Sequence, residues 1–263
     1  MRAFAFALAI SLAVPAAAEA APPRRAASLN LCTDELLLLL AEPAQIVSVT
    51  HLAQQEAETP LWRQARRYRR NDGTLLSLTA LRPDLVLTMG GGARDRLRIA
   101  SRLGMRTLDL PFARSLDDVQ TSIGAVAAAL GREAAGAALI ARIGRLRHSA
   151  PRGAVDTIWL GGGGRTVSAS GLEAQWMRLA GLAQRRMQGD RLSLEQLALR
   201  PPQVLLRSDY RQGQYSADQR WLRHPLADAA GRARNIATDG RRWTCMGPLL
   251  IDEVERLRGV LAR

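Results

Sequence analysis

Apolar positions along this chain fall into short runs of strand length separated by segments with helical spacing, and one such pairing occurs twice. Leu75-Leu76-Ser77-Leu78-Thr79-Ala80-Leu81-Arg82-Pro83 leads into Asp84-Leu85-Val86-Leu87. Leu192-Ser193-Leu194-Glu195-Gln196-Leu197-Ala198-Leu199-Arg200-Pro201-Pro202 leads into Gln203-Val204-Leu205-Leu206. Each copy reads as a short amphipathic helix stopped by proline and followed by a buried strand. The repetition predicts two similar α/β lobes; chance likeness in a Leu-, Ala- and Arg-rich chain is the competing reading.

The same periodicities predict strands over 26–31, 46–50, 84–88 and 107–110. They predict a helix over 34–41 capped by Thr33 and another over 93–103 ending at Gly104. From Ser115 to about His148 there is no proline, and Val119, Ile123, Val126, Leu130, Ala134, Ile140 and Ile143 keep helical spacing, so this stretch is expected to be one long helix between the two copies. A second set of elements follows: a strand over 157–160, a Gly-rich loop, a helix near 173–182, a strand over 204–206 and a closing helix over 249–261. Strands alternating with helices imply parallel sheets, whose ligands sit beyond the carboxyl ends of the strands. Two facing lobes would therefore share a cleft.

The N-terminus changes the picture. Arg2, the apolar stretch Ala3–Val14, Pro15 and the small-residue run Ala16-Ala17-Ala18-Glu19-Ala20 have the order of a secretory signal, with cleavage expected near Ala21. The apolar stretch is too short to span a bilayer. Leu29-Asn30-Leu31 lacks the small residue that precedes a lipidated cysteine, so Cys32 is not expected to carry lipid. A soluble exported protein of about 240 residues remains, large enough for two lobes.

The formal net charge of +13 first suggests nucleic acid. Every one of the 37 basic residues is arginine, however, which GC-rich codon usage explains in large part; export also separates the protein from nucleic acid, and the few aromatics form no stacking array. An anionic small ligand or an acidic partner is the better use of the charge. Gly161-Gly162-Gly163-Gly164-Arg165-Thr166 lacks the Gly-Lys-Ser/Thr ending of a phosphate loop, and Gly90-Gly91-Gly92 lacks the dinucleotide fingerprint. Both runs read either as close backbone approach to a bulky ligand or as plain turns. No Gly-x-Ser-x-Gly elbow, His-Glu-x-x-His helix or paired catalytic acid is present, so no enzymatic activity is expected.

Several fragments in order resemble one family across nearly the whole exported chain: Ser28-Leu29-Asn30-Leu31-Cys32-Thr33-Asp34-Glu35, Leu81-Arg82-Pro83-Asp84-Leu85-Val86-Leu87, Leu103-Gly104-Met105, Ser115-Leu116-Asp117-Asp118-Val119, Leu179-Ala180-Gly181 and Ser193-Leu194-Glu195-Gln196-Leu197. The chain is similar to the helical-backbone periplasmic binding proteins that serve ferric-siderophore, haem and cobalamin ABC importers. The resemblance implies an α/β fold of two Rossmann-like lobes with central sheets, joined by one long helix, with the ligand cleft between them. The expected division is a signal peptide at 1–20, an N-terminal lobe at 21–113, the linking helix at 114–149 and a C-terminal lobe at 150–263. It also implies a periplasmic monomer with no intrinsic cofactor. Its partners would be a small-molecule metal chelate and an inner-membrane ABC permease dimer with its ATPase. Members usually carry one acidic residue per lobe for docking on permease arginines. Glu195 matches in the second lobe, whereas the first-lobe position falls at Leu76, leaving Asp72, another acid or asymmetric docking as alternatives.

Cys32 and Cys245 are the only cysteines. In an exported chain they read as one disulfide, as free thiols that ligate a soft metal, or as unpaired structural thiols. The resemblance puts both in turns at the cleft on opposite lobes, where a bond would clamp the lobes together. Thr33, His51, Met89 and Gly90 from the first lobe and Arg165, Tyr210, Arg211 and Trp243 from the second complete the expected ligand-binding set, each with ordinary core or surface packing as its alternative. No metal site is identified. His148 and His224 are expected at the surface. The competing function is a periplasmic thiol redox or metal-handling protein using Cys32 and Cys245.

Overall fold

The computed structural model describes residues 21–90, 94–210, 216–228 and 234–263. The expected signal segment 1–20 and Arg211 lie outside them. The first lobe contains β1 (Ala26–Ser28), α1 (Leu31–Leu40), β2 (Ile46–Thr50), α2 (Trp62–Ala65), β3 (Arg69–Asn71), β4 (Leu85–Met89), α3 (Arg94–Arg102) and β5 (Arg106–Leu110). Its parallel sheet has the order β3-β2-β1-β4-β5. After α4 (Leu116–Leu130) and α5 (Glu133–His148) come β6 (Val155–Leu160), α6 (Leu172–Leu179), β7 (Leu182–Gln184), α7 (Leu194–Leu199), β8 (Val204–Ser208), α8 (Ala217–Leu222), α9 (Pro225–Asp228), β9 (Arg234–Thr238) and α10 (Leu249–Leu261). The second sheet is again parallel, in the order β7-β6-β8-β9.

The repeated phrase holds equivalent places. β4 lies beside β1, the first strand of its lobe, and β8 lies beside β6, the first strand of the other. Their continuous apolar runs suit strands covered on both faces. Leu85 and Leu87 join a central core with Val204 and Leu206, whereas Val86 and Leu205 enter separate outer clusters of their own lobes. The central cluster runs unbroken through both lobes, from Leu37 and Leu40 through Ile123, Leu130 and Ile143 to Trp176, Ile251 and Leu257. The two copies differ locally. Leu194–Leu199 is α-helical with a Ser193/Gln196 capping box, whereas Leu76–Leu81 is a 3-10 helix closed by Arg82 in the left-handed region.

The linking segment corrects the expectation of a single helix. Gly131 adopts φ 67°, and the Gly131 and Arg132 N–H groups donate to Ala128 O and Ala127 O, so α4 ends there and α5 turns back. Arg147 of α5 pairs with Asp117 of α4 at 2.7 Å, which fixes the two helices as an antiparallel hairpin. Apolar spacing continues across Gly131 because both helices bury a face, and that continuity disguises the turn. The bend is tied to the first lobe by Arg132 with Glu42 and Leu40 O, and by Gln45 with Leu130 O. The open end is tied to the second lobe by Arg142 with Asp252 and Glu255, and by Gln175 with Leu116 N and Arg114 O. The hairpin is thus the strut between the sheets.

Candidate functional site

Because every strand is parallel, the loops after β1, β2, β4 and β5 leave the carboxyl end of the first sheet, and those after β6, β8 and β9 leave that of the second. These ends meet. Cys32, in the first turn of α1, is disulfide-bonded to Cys245, which precedes α10; the Cα atoms are 5.2 Å apart and the residues 213 positions apart in sequence. Asn30 starts α1 by accepting the Cys32 N–H at 2.8 Å, which aims Cys32 at the opposite lobe. Beyond the bridge, Tyr210 at the end of β8 donates its hydroxyl to Glu58 at 2.7 Å. Arg241, held in a fork by both Asp239 oxygens, donates to Glu56 O at 2.9 Å.

Two buried carboxyls lie behind the bridge on α1. Asp34 accepts from both the N–H and the hydroxyl of Thr50, yet burial outweighs these bonds and pushes it up to about 7. Glu35 accepts from Thr59 Oγ1 at 3.1 Å and is pushed up to about 8, chiefly by burial and further by Asp34, with Arg242 opposing. Glu35, Met89, Ala113 and the two cysteines line a cavity of about 30 Å³ at the cleft floor.

The expected site residues divide. Met89 is half-buried over the bridge, Gly90 lies under the Phe112 ring, His51 is exposed at the end of β2, and Arg165 is exposed in the loop after β6, beyond Gly161–Gly164. Thr33 and Trp243 need correction as ligand contacts. Thr33 is fully buried, its hydroxyl bonded to Ser28 Oγ and Asn30 O. Trp243 is 2% exposed, packs near Trp159 and donates its indole N–H to Thr238 Oγ1. Both have their polar atoms used inside the protein. The Gly161–Gly164 run is also explained internally: a Cβ at Gly164 would sit 2.9 Å from the Trp221 ring of α8. Glu195 is exposed in the first turn of α7, with its carboxyl held below the usual range first by a Ser193 hydrogen bond. The matching first-lobe residue, Leu76, is 79% exposed. Asp72 accepts from the N–H and hydroxyl of Thr74, so its own turn occupies it.

Sequence reasoning missed Phe112, Glu58 and Arg241. Phe112 is 66% exposed two residues beyond β5, after Pro111, and an aromatic so soon after a strand is an available signal. Glu58 and Arg241 lie in loops whose register no periodicity fixes. Among the described residues no group of three or more His, Cys, Asp or Glu is arranged to hold a metal ion, and no helix is long and apolar enough to cross a membrane.

No curated protein matches the chain in sequence. Solved structures do match in fold. The periplasmic haem-binding protein HutB of Vibrio cholerae superposes with a TM-score of 0.71 at 19% identity, over 91% of this chain and 99% of that one. The periplasmic haem-binding protein RhuT of Roseiflexus sp. RS-1 gives 0.66 at 21%, over 90% and 98%. The periplasmic vitamin B12 binding protein BtuF of Vibrio cholerae gives 0.63 at 20%, over 92% and 98%. Residues 27–241 match the periplasmic binding protein family model, and with its two parallel sheets meeting at their carboxyl ends the chain belongs to that family.

Proposed function

We propose that this protein is the periplasmic substrate-binding component of an ABC importer for a bulky metal chelate, a ferric siderophore or cobalamin-like corrinoid, with haem as a further member of that class. The carrying observation is the meeting of strand ends from both sheets, bridged by Cys32–Cys245, Tyr210–Glu58 and Arg241–Glu56; on this reading Met89 and Phe112 would form one wall and Arg165, Tyr210 and Arg241 the other. An apolar wall facing directed guanidiniums suits a large ligand with anionic arms. The relatives of known structure include haem and vitamin B12 binders, which supports the class of ligand. The protein would perform no chemistry and would pass its cargo to the inner-membrane permease and ATPase. In the competing thiol reading Cys32 and Cys245 would work as thiolates; here each is consumed by the other.

Tryptophan fluorescence titration against ferric siderophores, cobalamin, haem and free metal ions tests the reading. Saturable quenching by one chelate, with the ligand recovered unchanged, is expected. Response to free metal alone, or recovery of an altered ligand, would overturn it. Near-molar salt should weaken binding, because a Debye length of about 3 Å screens partly exposed pairs.

A further inference from the structure

The outer edge of the first lobe carries positive charge that no described acidic side chain pairs with and that the cleft does not use; Arg25 donates to Leu81 O and Arg82 O, and Arg66 to Gln54 O, carbonyl bonds that leave both charges uncompensated. Residues 62–70, Trp62-Arg63-Gln64-Ala65-Arg66-Arg67-Tyr68-Arg69-Arg70, present five arginines, all exposed, along α2 and the edge strand β3; Arg24 and Arg25, also exposed, lead into β1. Arg25, Arg67 and Arg69 line one shallow hollow of about 450 Å³ with Tyr68 and Leu81, and none of its described lining residues is acidic. Some arginines elsewhere sit in ion pairs, Arg142 with Asp252 and Glu255 and Arg147 with Asp117. Arg67, Arg69 and Arg70 form no ion pair among the described residues. Arg63 and Arg66 stack on Trp62, with guanidinium carbons 4.8 and 4.4 Å from the ring centroid, which fixes an aromatic within the basic patch.

Charge on an edge strand guards it against pairing with another strand, and Arg69 and Arg70 serve that end. The explanation does not reach Arg63 and Arg67, which precede the strand, or Arg24 on another segment, and the carbonyl bonds of Arg25 and Arg66 hold their side chains without neutralising their charge. Gathering like charges raises the energy of the folded protein unless a polyanion faces them. Basic residues interleaved with Trp and Tyr match the chemistry of a bilayer interface, where arginines meet lipid phosphates and amphipathic rings sit at headgroup level.

We propose that this edge is a docking surface for an anionic phospholipid bilayer. On the periplasmic reading above, that bilayer is the outer face of the inner membrane, and the contact holds the protein weakly and reversibly near its permease. It uses no cleft residue, so loading with chelate leaves it unchanged.

The test is co-sedimentation of the full protein, without chelate or permease, with vesicles of phosphatidylglycerol in phosphatidylcholine against phosphatidylcholine alone. Partition onto the anionic vesicles only, abolished by near-molar salt, is expected. Each basic residue near an anionic surface is worth roughly fivefold, so Arg67→Gln/Arg69→Gln/Arg70→Gln should lower partition on the order of a hundredfold. Arg145→Gln/Arg152→Gln/Arg178→Gln, which removes the same charge from exposed positions on the helices and the second lobe, should lower it far less. Equal losses from both variants would show that net charge alone drives binding and would overturn the assignment, as would absence of binding to the anionic vesicles. Because no chelate enters the assay, its failure leaves the transport reading standing, and failure of every chelate titration leaves this one standing.

Discussion

Removal of the inter-lobe bridge gives the largest effect predicted for a single structural feature. The 213 positions between Cys32 and Cys245 span nearly all of the described chain, so the cross-link restricts the unfolded state far more than the folded one. In the chain-entropy model a loop of that length is worth about 5 kcal/mol. With an unfolding entropy of about 2.1 cal/mol/K per residue over roughly 240 residues, that becomes a fall in Tm of about 10 °C. The variants are Cys32→Ser/Cys245→Ser and Cys32→Ala/Cys245→Ala. Agreement between them separates loss of the cross-link from the cost of a half-buried hydroxyl. Both should still fold, because the central apolar cluster from Leu37 to Leu257 and the α4–α5 strut join the lobes without the bridge. Differential scanning calorimetry of oxidised protein against each variant measures the shift. A change below about 2 °C would refute the loop-closure argument, and two free thiols in peptides from unreduced periplasmic protein would remove the bridge itself.

Other perturbations separate the roles assigned above. The unfolded chain titrates Asp34 and Glu35 near 3.8 and 4.5, whereas the folded protein holds their protons to about 7 and about 8. Their contribution is therefore full below about pH 4 and lost as pH rises toward the folded values, so Tm should decline from about pH 5 to about pH 8 and Asp34→Asn/Glu35→Gln should flatten that slope; an unchanged slope would count against the burial argument. Glu195→Arg should impair uptake in cells while chelate affinity stays within about twofold, since an exposed rim charge acts on partner recognition; normal uptake would remove Glu195 from docking. Phe112→Ala should leave stability within about 0.5 kcal/mol, as the ring is largely exposed, and weaken chelate binding about tenfold, the worth of one aromatic contact; calorimetric unfolding and fluorescence titration read the two effects.

What the sequence disclosed follows burial. β2 and α10 fall where apolar periodicity predicts them, and β4 is displaced by one residue, because each buries a face whose spacing is written in its own side chains. β3 and β9 escaped notice for the opposite reason. Arg69-Arg70-Asn71 has one buried residue, Asn71, and Arg234-Asn235-Ile236-Ala237-Thr238 has two, Ile236 and Thr238; both are edge strands defined by a ladder to β2 or β8 rather than by their own pattern. Position along the chain puts Thr33 and Trp243 near the cleft, which the fold respects, but position along a loop says nothing about where a side chain turns. Ser28 and Thr238 supply the polar partners that draw both inward, and those partners lie 5 residues away along the chain in each case, within reach only once the strand end is formed.

The same distinction bears on how the cleft can work. Three of the contacts that cross it among the described residues differ in what a ligand could do to them. The Cys32–Cys245 bond at the floor is covalent, so the two lobes keep a fixed separation there whether or not cargo is present. The Tyr210–Glu58 and Arg241–Glu56 hydrogen bonds are exchangeable, and on the proposed reading a chelate bearing carboxylate or catecholate groups would compete for both donors. Entry of such a ligand would exchange these bonds for protein–ligand ones, at the cost of taking the Tyr210 hydroxyl from the buried Glu58 carboxylate, and would gain apolar burial against Met89 and Phe112. Affinity in this arrangement would depend on walls already in place more than on closure, because the bridge, the shared core and the α4–α5 strut all hold the two lobes together.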